Sequence, residues 1–286
     1  MAIGDITLTS AMRANLVSLQ STEQLLGRTQ ERLSTGKRVN SAIDNPTNFF
    51  AARAHTQRAD LLNGLKDNIS EAVQTIKAAD NGVTGINTLL EALRGVVTQA
   101  RSALNSITSA TELQGLTTQY NELIRQINNT EADASYKGVN FLAGSAITLT
   151  VNFNEQATSQ LVMSGFNGSA SGLALSGGTQ TGSGNITSAA LDAQTDLDNI
   201  ETTINNALGT LRKEGGTLAA NLSILTTRQQ FIVNMVNTLA EGATKLTVAD
   251  TNEEGANMLL LQTRQQLGTT ALSLSAQANA AVLRLF

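Results

Sequence analysis

From Leu62 to Ile107 an apolar residue stands at every step of an alternating three–four count: Leu62, Leu65, Ile69, Ala72, Ile76, Ala79, Val83, Ile86, Leu90, Leu93, Val97, Ala100, Leu104 and Ile107. A heptad held this long without a slip describes a straight helix with one narrow apolar seam, which is stable only against partner helices. At 1.5 Å per residue the run would be about 70 Å long. Helices of ordinary globular domains usually stop within about 20 residues. The rest of the chain must therefore be read as what lies along this rod.

A matching run occupies the second half. Leu197, Ile204, Leu211, Leu218, Leu225, Ile232, Leu239 and Leu246 fall seven apart, accompanied by Ile200, Leu208, Leu222 and Val236. The expected rod seam joins Ile69, Ile76, Val83, Leu90 and Val97 to Leu211, Leu218, Leu225, Ile232 and Leu239. Gly82, Gly85 and Gly95 interrupt the first rod, each costing about 1 kcal/mol relative to alanine. A long helix can tolerate them, and they can also let a neighbouring backbone approach; the second reading is slightly preferred. A shorter seam, Leu113, Leu116, Tyr120, Leu123 and Ile127, follows a break near Ser109–Thr111. It predicts a helix capped by Thr111 and folded back on the rod.

The ends repeat the pattern on a smaller scale. Met12, Leu19, Leu26 and Leu33 are seven apart with Leu16 beside them, while Leu8, Val17 and Leu25 lie off that stripe. A helix apolar on several sides needs several neighbours. Gly36 is a stop signal, and Asn45-Pro46 is a cap followed by a proline suited to the first helical turn. The last stretch, Glu254–Phe286, carries Leu260, Leu267, Leu274 and Ala281, then Leu283 and Phe286 in the closing Ala-Val-Leu-Arg-Leu-Phe. Thr247–Asn252 is a polar break that answers the Lys37–Asn45 break near the other end.

Between the rods, Ile147–Phe153 alternates with period two and Gln160–Met163 can pair with it as a hairpin. Residues 164–188 are rich in Gly, Ser and Thr and read as an exposed loop. The element types form a palindrome: short rod, break, long rod, mixed centre, long rod, break, short rod. The fold class expected is mainly α, with long antiparallel coiled-coil rods, a small central β-hairpin region and terminal helices paired at one end. The domains expected are 1–45 with 248–286 as terminal helices, 46–163 with 189–247 as the rod, and 164–188 as the exposed loop. The terminal pair has little apolar area to offset ordering entropy of about 1–2 kcal/mol per residue. The terminal helices are therefore expected to order when identical copies pack around them. Met12, Leu16, Leu19, Leu26, Leu33, Leu260, Leu267, Leu274, Leu283 and Phe286 are the candidate self-assembly residues.

Chemistry is scarce. The 286 residues include one histidine, no cysteine and no tryptophan. That leaves no thiol chemistry, no basis for a Ser-His-Asp set around His55, and no metal or cofactor site to assemble. Glu253-Glu254 is a pair of adjacent carboxylates better suited to a helix N-terminus than to catalysis. The net charge is −4, with seven Lys/Arg against five Asp/Glu in residues 1–60, which is no nucleic-acid footprint. No apolar run reaches the length of a membrane span. The first 30 residues lack the pattern of a cleaved signal peptide.

The palindrome, with Glu31-Arg-Leu-Ser-Thr-Gly-Lys-Arg-Val-Asn-Ser-Ala-Ile-Asp44 at its first break, resembles bacterial flagellin. So do Asn257-Met258, Gly268-Thr-Thr-Ala-Leu and Gln277-Ala-Asn279, and Tyr136-Lys-Gly-Val-Asn-Phe-Leu142 resembles the family's entry to its first β-hairpin. The resemblance covers about 1–165 and 190–286, so this is a short form with a minimal centre. It implies a subunit of the hollow extracellular filament used for swimming, polymerised from copies of itself and exported through a flagellar type III apparatus without a cleaved signal. Implied partners are hook-junction and filament-cap proteins and an export chaperone, with no nucleic acid, membrane or cofactor. Positions matching the surface read by an innate immune receptor are Ala92, Arg94, Val96, Gln99 and Gln119. Ala92 replaces the family's usual arginine, Val96 a leucine and Gln119 a glutamate, so receptor activation is expected to be poor. The alternatives are a hook–filament junction protein of the same superfamily and a cytoplasmic coiled-coil adaptor.

Overall fold

The computed structural model describes residues 10–105, 110–175, 180–181, 185–187, 191 and 193–283. In chain order the elements are α1 (Ser10–Thr35), α2 (Pro46–Asn105), α3 (Ala110–Asp133), β1 (Ser135–Tyr136), β2 (Val139–Asn140), β3 (Thr148–Asn152), β4 (Gln160–Ser164), β5 (Gln180–Thr181), β6 (Asn185–Ile186), α4 (Gln194–Thr247) and α5 (Thr251–Leu283). The fold is mainly helical, with α2 paired to α4, α1 paired to α5, and small hairpins between. The chain divides into two compact units. One holds the residues up to Ala59 and from Asn237 onward, the other Asp60–Val236.

In the Asp60–Val236 unit the heptads become the core. Ile69, Ile76, Ala79, Ile86, Leu90, Leu93 and Ala100 of α2 are fully buried, as are Leu197, Ile200, Ile204 and Leu225 of α4. Val83, Val97, Leu211, Leu218 and Ile232 are buried as well. The helix α3 adds Tyr120, Ile124 and Ile127, each with no exposed surface, and Leu123 is half-buried beside them. Outside this unit, Leu239 is half-buried. Ile107 and the break at 106–109 lie outside the described residues, and α3 starts at Ala110, one residue before the expected Thr111 cap.

The glycines of α2 divide. A Cβ at Gly82 would stand 2.6 Å from both Ala134 Cβ and Leu142 Cδ1, and one at Gly85 would stand 3.2 Å from Thr130 Cγ2. Gly95 meets nothing within 4 Å. Close approach therefore explains the first, in part the second, and not the third.

The β-hairpins cover one side of these helices. Strands β1 and β2 turn through Lys137 and Gly138, both at positive φ, the geometry of the tight turn whose twist suits a hairpin. Strands β3 and β4 pair antiparallel with Leu149 opposite Met163 and Val151 opposite Leu161. Their inner side chains, Val151 and Met163, are buried with Phe141, Leu142 and Phe153. The guanidinium of Arg228 on α4 lies 5.0 Å from the Phe153 ring centre, a cation–π contact that pins hairpin to helix. The composition of 164–188 suggests an exposed loop, yet Ala170, Leu173 and Leu175 within it are buried. Asn128 Oδ1 on α3 accepts from the Ala170 amide at 2.9 Å. The loop's residues 176–179, 182–184 and 188 lie outside the described part.

In the other unit the two breaks pair with each other. The amides of Arg38 and Val39 donate to the Thr247 carbonyl at 2.7 and 3.2 Å, and the Ala249 amide donates to the Gly36 carbonyl at 3.0 Å. Helix α2 restarts as expected, with Asn45 Oδ1 accepting from the Asn48 amide at 3.0 Å. Helix α5 is capped by Asp250, whose Oδ1 accepts from the Asn252 amide at 2.9 Å. Glu253 and Glu254 follow in its first turn, where carboxylates face the positive end of the helix dipole.

Candidate self-assembly surface

The residues of α1 that lose surface are Met12, Asn15, Leu19, Thr22, Leu26, Thr29 and Arg32. On α5 the covered residues that follow one another by threes and fours are Glu254, Met258, Leu261, Gln265, Gly268, Leu272, Ser275 and Asn279, with Gly255 and Asn257 half-buried beside the first of them. Both sets step by three and four, so each is one heptad seam, and the two seams face each other. Glu254 Oε1 accepts from Arg32 Nη1 at 2.9 Å, Gly268 sits under Leu19, and Asn279 Nδ2 donates to Met12 Sδ at 3.0 Å. More than half of this seam is polar or glycine.

The leucines that look strongest in the sequence point elsewhere. Ala256, Leu260, Thr263, Leu267, Thr270, Leu274, Gln277 and Ala281 form a second heptad on α5, displaced by two residues from the first. Two residues turn a helix by about 200°, so the second seam is back to back with the first. Leu260 is 50% exposed, Leu267 66% and Leu274 67%. Leu16 and Leu33 on α1 are likewise exposed, whereas Met12, Leu19 and Leu26 are half-buried against α5. Fully burying a leucine is worth roughly 1.5–3 kcal/mol. The outward stripe thus holds hydrophobic energy that the α1–α5 pairing does not use. Nothing in the sequence marks which heptad meets α1, because the contacting one is the more polar. The Leu283 side chain and Phe286 lie outside the described part.

The connector beside this pair is tightly built. Asp44 Oδ2 accepts from the amides of Asn40 and Ser41 at 3.1 and 3.0 Å and from Ser41 Oγ at 3.1 Å. The Ser41 and Asn40 amides hold the Asp44 carboxyl below its ordinary value. The turn presents Ile43, 94% exposed.

On the rod, Ala92, Arg94, Gln99 and Gln119 are exposed. Val96 is buried; as an inward residue of α2 it is not available at the surface on which its sequence neighbours lie. Among the described residues there is no cluster of His, Cys, Asp or Glu able to hold a metal, and no helix is long and apolar enough to cross a membrane.

Comparison with known proteins points the same way as this geometry. Residues 6–147 match the family model described as the bacterial flagellin N-terminal helical region. Flagellin FljN of Caulobacter vibrioides is 30% identical over 286 residues, covering 100% of both chains. A flagellin of Brucella melitensis is 28% identical over 98% of each. A solved flagellin from Bacillus cereus aligns over 58% of this chain and 88% of its own at 16% identity, with a TM-score of 0.46, a likeness that adds nothing to the fold described above. Full-length identity at this level, over a chain of paired heptad rods, leaves one conclusion: the chain belongs to the bacterial flagellins, structural and non-enzymatic subunits that polymerise into the extracellular flagellar filament and serve motility.

Proposed function

We propose that the back-to-back seams of α5 are the device by which this flagellin polymerises. The inner, mixed seam sets the register of α5 on α1, and the outward stripe of Leu260, Leu267 and Leu274 is covered by other copies, together with Leu16 and Leu33. The observation that carries this reading is the exposure of three leucines spaced seven apart, Leu260, Leu267 and Leu274, on a helix already paired along its opposite side. A helix with two opposed seams fits between two neighbours, which is the requirement of a closed tube of helices. In this reading 1–45 and 248–286 are the self-assembly domain, with Leu283 and Phe286 among its candidate contact residues. Residues 46–163 and 189–247 are the rod domain. The wider partners in this reading are hook-junction and cap proteins at the filament ends and an export chaperone before assembly, with passage through the flagellar type III route.

Replacing Leu267 and Leu274 by serine tests the reading, because both lie off the α1 seam. The monomer should keep its circular-dichroism spectrum, and filaments seeded under conditions that polymerise the wild type should fail to grow in electron micrographs. Filaments of ordinary length and yield would refute it. Removal of the last 35 or so residues, about one short rod, should abolish polymerisation outright. The receptor-like surface carries Ala92 where an arginine anchor would be needed, and Val96 faces inward. Purified monomer should therefore activate a reporter cell line poorly.

A further inference from the structure

We propose that the open edge of β3 is a strand-addition site, and that its occupant is the open edge of β4 from a second copy of this chain. The proposal rests on the polymerising role given above and names one contact within the polymer.

The pairing of β3 with β4 sets which backbone groups are free. The Phe153 amide donates to the Ser159 carbonyl and the Gly165 amide to the Ile147 carbonyl, both at 2.8 Å. Hydrogen-bonded and non-hydrogen-bonded pairs alternate along an antiparallel ladder, so 149 with 163 and 151 with 161 are the bonded pairs between them. The N–H and C=O groups of Thr148, Thr150 and Asn152 therefore point away from β4, and those of Gln160, Val162 and Ser164 point away from β3. The ribbon has two strands, with no third beyond either edge among the described residues.

The β3 edge borders a groove of about 350 Å³. Leu149, Thr150, Val151 and Asn152 of β3 line it together with Tyr136, Lys137 and Val139 of the first hairpin and residues of α2 that include Glu71. Successive strand residues face opposite sides, so four in a row can line one groove only where the edge of the strand faces it. Among these four, Asn152 has its Oδ1 buried with no hydrogen-bond donor. The groove supplies apolar side chains beside the Lys137–Glu71 ion pair, a row of main-chain donors and acceptors, and a side-chain acceptor in want of a donor. An extended peptide edge satisfies all three.

Both edges lack the usual guards. Proteins protect exposed edges with charges, proline or bulges, whereas Thr148–Asn152 and Gln160–Ser164 contain no charged residue and no proline. The β4 edge even presents Val162, 53% exposed. Because the two edges belong to opposite sides of one ribbon, joining β3 of one copy to β4 of the next is a heterologous contact. Such contacts do not close into two-fold dimers; they repeat, into rings where the rotation closes and into open helical assemblies where it does not. The open helical case is the symmetry a flagellin requires.

The absence of cysteine makes the test clean. Single-cysteine variants at Thr148, Thr150 or Asn152 are mixed pairwise with variants at Gln160, Val162 or Ser164, polymerised and oxidised. Directly opposed residues lie about 4.5–5.5 Å apart at Cα, within disulfide reach. At least one mixed pair should give a cross-linked dimer in the filament and none in dilute monomer. Filaments that form with no mixed cross-link in any pair, or that give only like-with-like dimers, overturn the proposal while leaving polymerisation intact. Failure of the wild type to polymerise would instead overturn the underlying reading, and this inference with it. Thr150→Pro supplies a second readout, since an edge position tolerates proline and loses only its outward N–H. It should raise the critical concentration about tenfold, equivalent to 1.4 kcal/mol. An unchanged critical concentration counts against the edge contact.

Discussion

Gly82 of α2 and Ala134 at the end of α3 approach so closely that a methyl group on the glycine would stand 2.6 Å from Ala134 Cβ. Neither atom belongs to a flexible side-chain end, so Gly82→Ala must displace backbone. Overpacking of this kind costs about 1–3 kcal/mol, against a helix-propensity gain of about 1 kcal/mol. The variant should be less stable than the wild type by urea denaturation of the monomer. Gly95→Ala is the internal control: nothing lies within 4 Å, so the propensity gain stands alone and stability should rise by up to about 1 kcal/mol. Equal shifts for the two substitutions would remove close packing as the reason for Gly82.

Tyr120 places a fully buried phenol in the α3 core with no hydrogen-bond partner for its hydroxyl. A buried unsatisfied group carries a desolvation cost of about 1–3 kcal/mol. Tyr120→Phe should therefore leave the monomer as stable or stabilise it by about 1 kcal/mol. Burial also raises the phenol pKa well above its ordinary 10.0. Because the folded value is the higher, the stability this group contributes is complete below pH 10 and is lost as pH rises past that value toward the folded one. The difference between wild type and Tyr120→Phe should be flat below pH 10 and diverge above it. A difference curve flat through pH 11 and beyond would contradict the burial.

The long seams were legible because their chemistry and their geometry coincide. A buried position in α2 or α4 is almost always Ile, Leu, Val or Ala, so period and identity report the same thing. On the terminal helices they separate. Leu260, Leu267 and Leu274 carry the clearest heptad yet face away from α1, while Gln265, Gly268 and Ser275 hold the contact. An apolar period shows that a face wants a partner, not whether the partner belongs to the same chain. The segment after Ser164 is the converse case. Its Gly- and Ser-rich composition hides three buried anchors, Ala170, Leu173 and Leu175, fixed partly by a hydrogen bond from the Ala170 amide to Asn128 on α3. Val96 is buried while Ala92, Arg94 and Gln99 are exposed, because position in a motif says nothing about which side of the helix is covered.

Arg32 and Glu254 form the polar end of the α1–α5 seam, with the Glu254 side chain only 8% exposed. The Arg32 side chain is 28% exposed, so the pair is only partly buried, and removing one partner costs about 1–3 kcal/mol by leaving the other group without its hydrogen bond. Arg32→Ala should therefore strip hydrogen-exchange protection from the first turns of α5 and the last turns of α1. Replacing both residues by apolar ones, Arg32→Met with Glu254→Leu, should restore much of it, since a well-packed apolar pair often equals a buried ion pair. A double variant as unprotected as Arg32→Ala would show that the contact depends on the charges themselves.

The Asp44 turn makes the last prediction, and here the sign of the pH effect is the test. Its carboxylate accepts two backbone amides and the Ser41 hydroxyl, and these bonds, the Ser41 amide foremost, lower its pKa below the ordinary 3.8. A group whose folded pKa is depressed contributes stability above its unfolded pKa and loses it as pH falls through the folded value. Exchange protection of the Asn40 and Ser41 amides should therefore hold at neutral pH and disappear only below about pH 4, the ordinary carboxylate range. Asp44→Asn keeps the shape and one acceptor oxygen but lacks the charge that strengthens those bonds. It should lower protection at neutral pH and make it independent of acid. With the turn loosened, Ile43 is no longer held in one place, so acid should also slow filament growth in the wild type more than in the asparagine variant. Equal acid sensitivity of the two chains would remove Asp44 from the explanation and leave the pH dependence to other carboxylates.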